Sequence, residues 1–263
     1  MPAMRGRRWP WLVSGGIAVA LAVAMIAAAS LLLLRDTSTP IDVQEVVDEF
    51  REGETPSGSL EGLPGPGVYV YSTEGFEEVD ALAGTRHDYP PETTLTVAVA
   101  GCGVELRWEV LEERFESWEL CPEGAGMRQP GYVSFHRFFG QPDTKSFVCT
   151  EESLALPGVV APGASWSTDC IAGSLREVTT YEIVGLEDLD VSGTAVPVVH
   201  ILTATDVSGS STGSSEGQLW LSQDEGLPVR WTETTSTTSL SAIGPVHYDE
   251  TFLIELGSME PRR

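Results

Sequence analysis

Residues 102–121 read CGVELRWEVLEERFESWELC, and their pairing decides the fold class. The segment divides into two strands, 103–111 and 114–121, folded about Leu111-Glu112. Pairing positions whose numbers add to a constant sets Trp108 opposite Phe115, Arg107 opposite Glu116 and Glu109 opposite Arg114. An aromatic pair and two opposite-charge pairs each favour such a register by a few tenths to ~1 kcal/mol, and a slip of one residue would lose all three. The same register brings Cys102 opposite Cys121. Leu-Glu is poor chemistry for a two-residue turn, so a wider loop is equally acceptable. The expectation is an antiparallel hairpin stapled at its open end.

Working outward, β-type segments follow one another at 68–72, 93–100, 132–139, 176–184, 196–205, 218–222, 229–238 and 246–256. Short Gly-, Ser- and Pro-containing breaks separate them, as at 185–193, 207–217 and 224–228, so sequential strands are expected to be antiparallel neighbours. Two strands are apolar on both faces: 132–139, with Val133, Phe135 and Phe139 against Tyr132 and Phe138, and 196–204, with Val199 and Ile201 against Val196, Val198 and Leu202. An antiparallel strand normally wets one face, so a second layer or a ligand is expected over the other. Residues 229–238 turn polar after Trp231, as an exposed strand would.

From Trp11 to Leu34 the chain is mostly apolar and uncharged, with Arg5, Arg7 and Arg8 before it. At ~1.5 Å rise per residue a helix of this length exceeds the ~30 Å hydrocarbon core of a bilayer. The positive flank places the N-terminus in the cytoplasm and the remainder outside. A cleaved signal peptide is the alternative, with Ala27-Ala28-Ala29 as the small-residue site, but Leu31 to Leu34 prolong the run beyond a usual h-region. The expected organisation is a basic cytoplasmic tail at 1–10, a transmembrane helix at 11–34, a short amphipathic helix and Pro/Gly linker at 35–67, an extracytoplasmic β domain at 68–257 and a tail at 258–263. In the first part of the linker Ile41, Val43, Val46, Val47 and Phe50 fall on one helical stripe.

All 39 acidic residues follow the apolar segment, so the exported part is more acidic than the chain's formal charge of −24. Such a field disfavours nucleic acid and anionic lipid surfaces. The lack of asparagine and the single lysine, Lys145, match the bias of a high-GC bacterial genome. Four cysteines in an oxidising compartment favour two disulfides. With Cys102 assigned to Cys121, Cys149 is left for Cys170. No C-x-x-C spacing exists to suggest a metal site.

Residues 162–166 (PGASW), 181–185, 193–202, 218–221 (QLWL) and 226–230 (GLPVR) resemble the meander of curled-sheet envelope proteins of the LolA and LppX type. The resemblance covers the C-terminal half and implies a half-barrel around an apolar cavity, a shape in which some members carry lipids or lipoproteins. The chain departs from that type in having no cysteine before Cys102, hence no thiol for N-terminal lipidation. Residues 68–170 resemble part of an uncharacterised actinobacterial membrane-anchored family. The fold class expected is therefore mainly β: an N-terminal transmembrane helix and one antiparallel, curled, half-barrel-like meander sheet with little helix.

Catalytic motifs are sparse. Gly209-Ser210-Ser211-Thr212-Gly213 satisfies G-x-S-x-G, but a nucleophile elbow needs a strand before it and a helix after it. Asp188-Leu189-Asp190-Val191-Ser192-Gly193 opens like a calcium loop, yet its twelfth position is Val199 rather than a bidentate glutamate. His87, His136, His200 and His247 have no zinc-like spacing, and His87-Asp88-Tyr89-Pro90-Pro91 reads as an extended turn. Glu109, Glu112, Glu113, Glu116 and Glu119 read as cross-strand partners and an exposed face. No catalytic residue, cofactor or metal is assigned. The expectation is a binding or scaffolding module of the cell envelope, with a protein partner or an apolar, lipid-like ligand lying against Phe135, Phe138, Val199 and Ile201. The alternatives are an envelope hydrolase using His87 or Ser211, and a sensor or accessory subunit of a membrane complex.

Overall fold

The computed structural model describes residues 36–53, 62–81, 84–241 and 244–263. The chain divides into two compact units, Met1–Thr37 and Ser38–Arg263, and the second carries the fold. The expected membrane helix, Trp11 to Leu34, lies outside the described residues, and among those described no helix is long and apolar enough to cross a membrane.

Helix α1 (Val43–Glu52) uses the stripe seen in the sequence: Val46 and Val47 are buried against Val68, flanked by Ile41 and Phe50. Asp42 caps it by accepting the backbone N–H groups of Gln44 and Glu45, which would otherwise lack partners. The segment before the helix is also fastened. Thr39 N–H donates to Glu113 at 2.7 Å, and Pro40 bridges to Leu111.

The rest is one antiparallel sheet of strands β1 (Gly67–Val79), β2 (Thr85–Asp88), β3 (Glu92–Ala100), β4 (Gly103–Leu111), β5 (Arg114–Glu123), β6 (Gly126–Phe138), β7 (Gln141–Cys149), β8 (Leu154–Leu156), β9 (Ser165–Ala172), β10 (Leu175–Val191), β11 (Thr194–Ser208), β12 (Ser211–Ser222), β13 (Pro228–Ser241) and β14 (Gly244–Leu256). Neighbours follow chain order apart from two short side strands, β2 on β1 and β8 on β6. Strand β14 pairs with β1 from Tyr71↔Leu256 to Val79↔Tyr248. This pairing closes a 12-stranded barrel and corrects the expected half-barrel. Closure pairs the first and last strands of the meander with each other, edges that an open sheet would have to protect.

The closure depends on two strands that the sequence reading passed over, β7 and β9. They join through a short seam of Val148↔Ile171 and Cys149↔Cys170, with a disulfide across the second pair. The other bridge joins Cys102 to Cys121, as expected. Its hairpin register differs from expectation by one residue: Trp108 faces Glu116, Arg107 faces Ser117 and Glu109 faces Phe115. Burial explains the shift, because Trp108 is fully buried and its cross-strand partner must share its inward face. The same four charged residues still pair, but along their strands, Arg107 with Glu109 at 3.0 Å and Arg114 with Glu116 at 2.7 Å. Arg107 also lies over the Phe115 ring at 3.6 Å.

Only part of the interior is filled. Leu63, Tyr69, Tyr71, Val191, Val196, Val198, Leu227 and Val229 belong to one packed core, built where the β10–β11 and β12–β13 turns meet β1. A 12-stranded barrel is wider than the roughly eight strands whose side chains can meet across the axis. The remainder of the lumen stays open.

Candidate functional site

The open part of the lumen is a cavity of ≈ 670 Å³, within the range of ~300–1,000 Å³ typical of small-molecule sites. Its most regular wall is formed by β5, β6 and β7, where cross-strand partners make three successive rungs: Arg114, His136 and Asp143; Glu116, Ser134 and Lys145; Trp118, Tyr132 and Phe147. Partners in a ladder share a face, so chemistry is graded along this wall from charged to aromatic. The aromatic rung is tight. Tyr132 stacks on Phe147 at 4.2 Å, and Trp118 meets Trp231 of β13 edge-on at 5.4 Å.

The charged end is a buried network centred on Glu77 of β1 and Arg114 of β5. Glu77 accepts from His87 Nδ1 at 2.9 Å through Oε1 and from His136 Nδ1 at 2.8 Å through Oε2, with Tyr248 Oη at 3.3 Å. Burial opposes its charge, but the hydrogen bonds from His136 and His87 and the nearby charges of His136 and Arg114 outweigh burial and hold it at about 2. Arg114, also fully buried, reaches Glu250 at 3.2 Å and Glu116 at 2.7 Å. Burial works against its charge too, yet these carboxylates raise its pKa well above the ordinary value. Tyr89 donates to Glu250, and burial followed by the Glu250 charge raises its pKa.

Two other wall carboxylates have no basic partner within ion-pair distance among the described residues. Glu233 of β13 accepts only the Thr235 hydroxyl, at 3.1 Å. Burial, and then the charges of Glu116 and Glu250, push it up to about 8. Glu177 of β10 accepts from Tyr132 Oη, and burial raises it as well. The cavity thus combines aromatic surface with carboxyl groups that burial keeps protonated more readily than usual.

His136 has a second contact. Its Nε2 lies 3.0 Å from Ser134 Oγ, two residues away on the same face of β6. Ser134 and His136 both line the cavity.

Of the four residues expected to touch a ligand, only Phe138 is on the cavity wall. Phe135 lies on the other face of β6, stacked on Phe115 at 4.9 Å. Val199 and Ile201 are buried in the packed core. Among the described residues nothing covers Val184, Leu186 and Leu202 of β10 and β11, which are exposed. Ser211 opens β12 after a strand-to-strand turn, with its hydroxyl 2.5 Å from Ser239, so the elbow geometry is absent there. Asp190 accepts the Gly193 N–H within the β10–β11 turn. The glutamates read as an exposed face divide differently: Glu116 lines the cavity, and Glu113 is buried, paired to Arg137 at 2.7 Å. Glu77, Glu233 and Ser134 belong to no motif in the sequence, and His136 enters it only among the histidines without zinc-like spacing, although the period of two puts Ser134 and His136 on the Tyr132 and Phe138 face.

No protein-family model and no curated protein sequence matches the chain. Among solved structures, the hypothetical lipoprotein YmcC from Escherichia coli K12 is similar with a TM-score of 0.33 and 13% identity, over 79% of this chain and 95% of that one. A protein of Parabacteroides distasonis ATCC 8503 assigned as a lipoprotein is similar with a TM-score of 0.32 and 11% identity, over 76% of this chain and 99% of that one.

Proposed function

We propose that the protein is a membrane-anchored, extracytoplasmic binding module of the cell envelope whose barrel holds one small amphiphile with an apolar, lipid-like body. The observation that carries this reading is the ≈ 670 Å³ cavity inside a closed barrel, with Trp118, Phe147 and Trp231 along one stretch of its wall. Apolar wall area supplies affinity, and the few polar groups orient the ligand. The anchor in this reading is Trp11 to Leu34, with Arg5, Arg7 and Arg8 inside the cell.

The test is native mass spectrometry of the full chain extracted in mild detergent, followed by titration with a fluorescent long-chain amphiphile. A bound species of lipid mass, displaced by the probe, is expected. Thr205→Trp, which fills the cavity from β11, should weaken probe binding at least tenfold. A protein that takes up no probe, or a Thr205→Trp variant that binds it as tightly as the parent, overturns the reading.

A further inference from the structure

The contact between Ser134, His136 and Glu77 has a directionality that a generic polar network does not need. Glu77 is held ionised, and an ionised carboxylate only accepts, so Nδ1 of His136 carries the proton in their 2.8 Å hydrogen bond. In the neutral imidazole Nε2 is then the lone-pair nitrogen. The group 3.0 Å from it is the Ser134 hydroxyl, which must donate. A hydroxyl, a base and an acid that sets the tautomer of the base are thereby arranged in the order that activates a serine nucleophile. The serine and histidine both face the cavity.

The surroundings fit an acyl group. One rung deeper along the wall lie Trp118, Tyr132 and Phe147, so a carbonyl at Ser134 would have its chain over the aromatic rung. Ser134 is flanked across the ladder by Lys145 and Glu116. The Glu116 charge is engaged by Arg114 at 2.7 Å. Lys145, the chain's one lysine, is the register partner of Ser134 on β7 and pairs with Asp143.

We infer that Ser134 and His136, with Glu77 as positioning residue, form an acyl-transfer centre that hydrolyses a carboxylic ester whose acyl chain lies in the cavity. This rests on the binding reading only for where the chain lies. Ser134 Oγ bonds to the carbonyl carbon while its proton passes to His136 Nε2. The carbon–alkoxy bond then breaks, and the leaving alcohol takes that proton. Water adds to the acyl-serine, giving a proton to Nε2. The carbon–Oγ bond breaks, the carboxylic acid leaves and the proton returns to Ser134. Water is the only co-reactant.

The experiment treats the full chain with a long-chain fluorophosphonate, maps the adduct by peptide mass spectrometry and follows hydrolysis of p-nitrophenyl esters of increasing chain length. One adduct, on Ser134, is expected. It should be absent in Ser134→Ala, and labelling should be slowed ~10²–10⁴-fold in His136→Gln, with loss of the rising limb of the pH–rate profile. Glu77→Gln lets the proton move to Nε2, so kcat should fall with KM nearly unchanged. A structural role alone would not produce that split. Near-UV circular dichroism of Ser134→Ala, which removes one hydroxyl from a cavity wall, controls for folding. An unlabelled Ser134 in a folded chain that still binds the fluorescent amphiphile overturns the acyl-transfer centre and leaves the binding module standing. Failure of both labelling and binding overturns both, and labelling without amphiphile binding supports the centre alone.

Discussion

Glu233→Gln should make the protein more stable at alkaline pH and leave it unchanged in acid. The carboxyl of Glu233 has an ordinary pKa of 4.5 and is pushed up to about 8 in the fold by burial and by Glu116 and Glu250. Between those two values the folded chain retains a proton that the unfolded chain has released. Stability therefore falls as pH rises through this window and levels off above about 8. At ~1.4 kcal/mol per pH unit the whole displacement corresponds to about 5 kcal/mol. Because the group lines an open cavity, solvent screening reduces this to about 2 kcal/mol. Glutamine keeps the shape and can still accept the Thr235 hydroxyl, but it cannot ionise.

Thermal unfolding of the full chain and the variant, followed by circular dichroism from pH 4 to pH 9, reads the effect directly. The two melting temperatures should coincide at the acid end. They should separate by about 4–8 °C in favour of the variant at the alkaline end, given ~2–4 °C per kcal/mol for a domain of this size. Other titrating groups, Glu177 among them, are common to both proteins and cancel in the difference. Parallel curves, or an alkaline gap in favour of the parent, would refute the reasoning. The second result would mean that Glu233 is ionised and paired in the fold.

Arg114→Met should destabilise the domain by ~3–5 kcal/mol, because Glu250 and Glu116 would be left in the interior without their cation. Adding Glu250→Gln should recover part of the loss, as urea midpoints of the single and double variants would show. Replacing Cys149 and Cys170 by Ala should cost ~3 kcal/mol and, more tellingly, speed amide exchange in β7 and β9 ahead of the other strands. Their seam has only two register pairs, so uniform exchange would argue that the bridge is not what holds it closed.

The parts of this fold legible in the sequence are those whose signals are local. The stripe of α1, the hairpin between β4 and β5 and the two cysteine pairs are examples. Strands β7 and β9 escaped because QPDTKSFVC and SWSTDCIA are largely polar, with few apolar residues in a strict alternation. The turn into β7 is also disguised. Phe139 and Gly140 both take positive φ, 52° and 69°, as a two-residue type I′ turn requires, but Phe-Gly is not a usual way to write one. Missing two strands turned a closed barrel into an open sheet. The register error at Trp108 has a related origin, since cross-strand charge pairing was weighed without knowing which face was inside.

The same blindness hid the site, and β13 shows why. Residues 229–238 are polar on both faces beyond Trp231, and the default reading of such a strand is that solvent wets it. In the barrel Thr232, Thr234 and Thr238 do lie on the outer face, whereas Glu233, Thr235 and Thr237 line the lumen. Burial cost explains how they are tolerated there. A wide barrel does not force its inner face into van der Waals contact, so polar residues can point inward without losing every partner. The expense is concentrated in Glu233 and Glu177, which have no cation within ion-pair distance among the described residues, and shows as their raised pKa. A strand polar on both faces inside a long antiparallel meander is thus a sequence signal for a cavity. On β6 the corresponding signal is Ser134 and His136 set between Tyr132 and Phe138 on one face, where a packed core would have continued with apolar side chains.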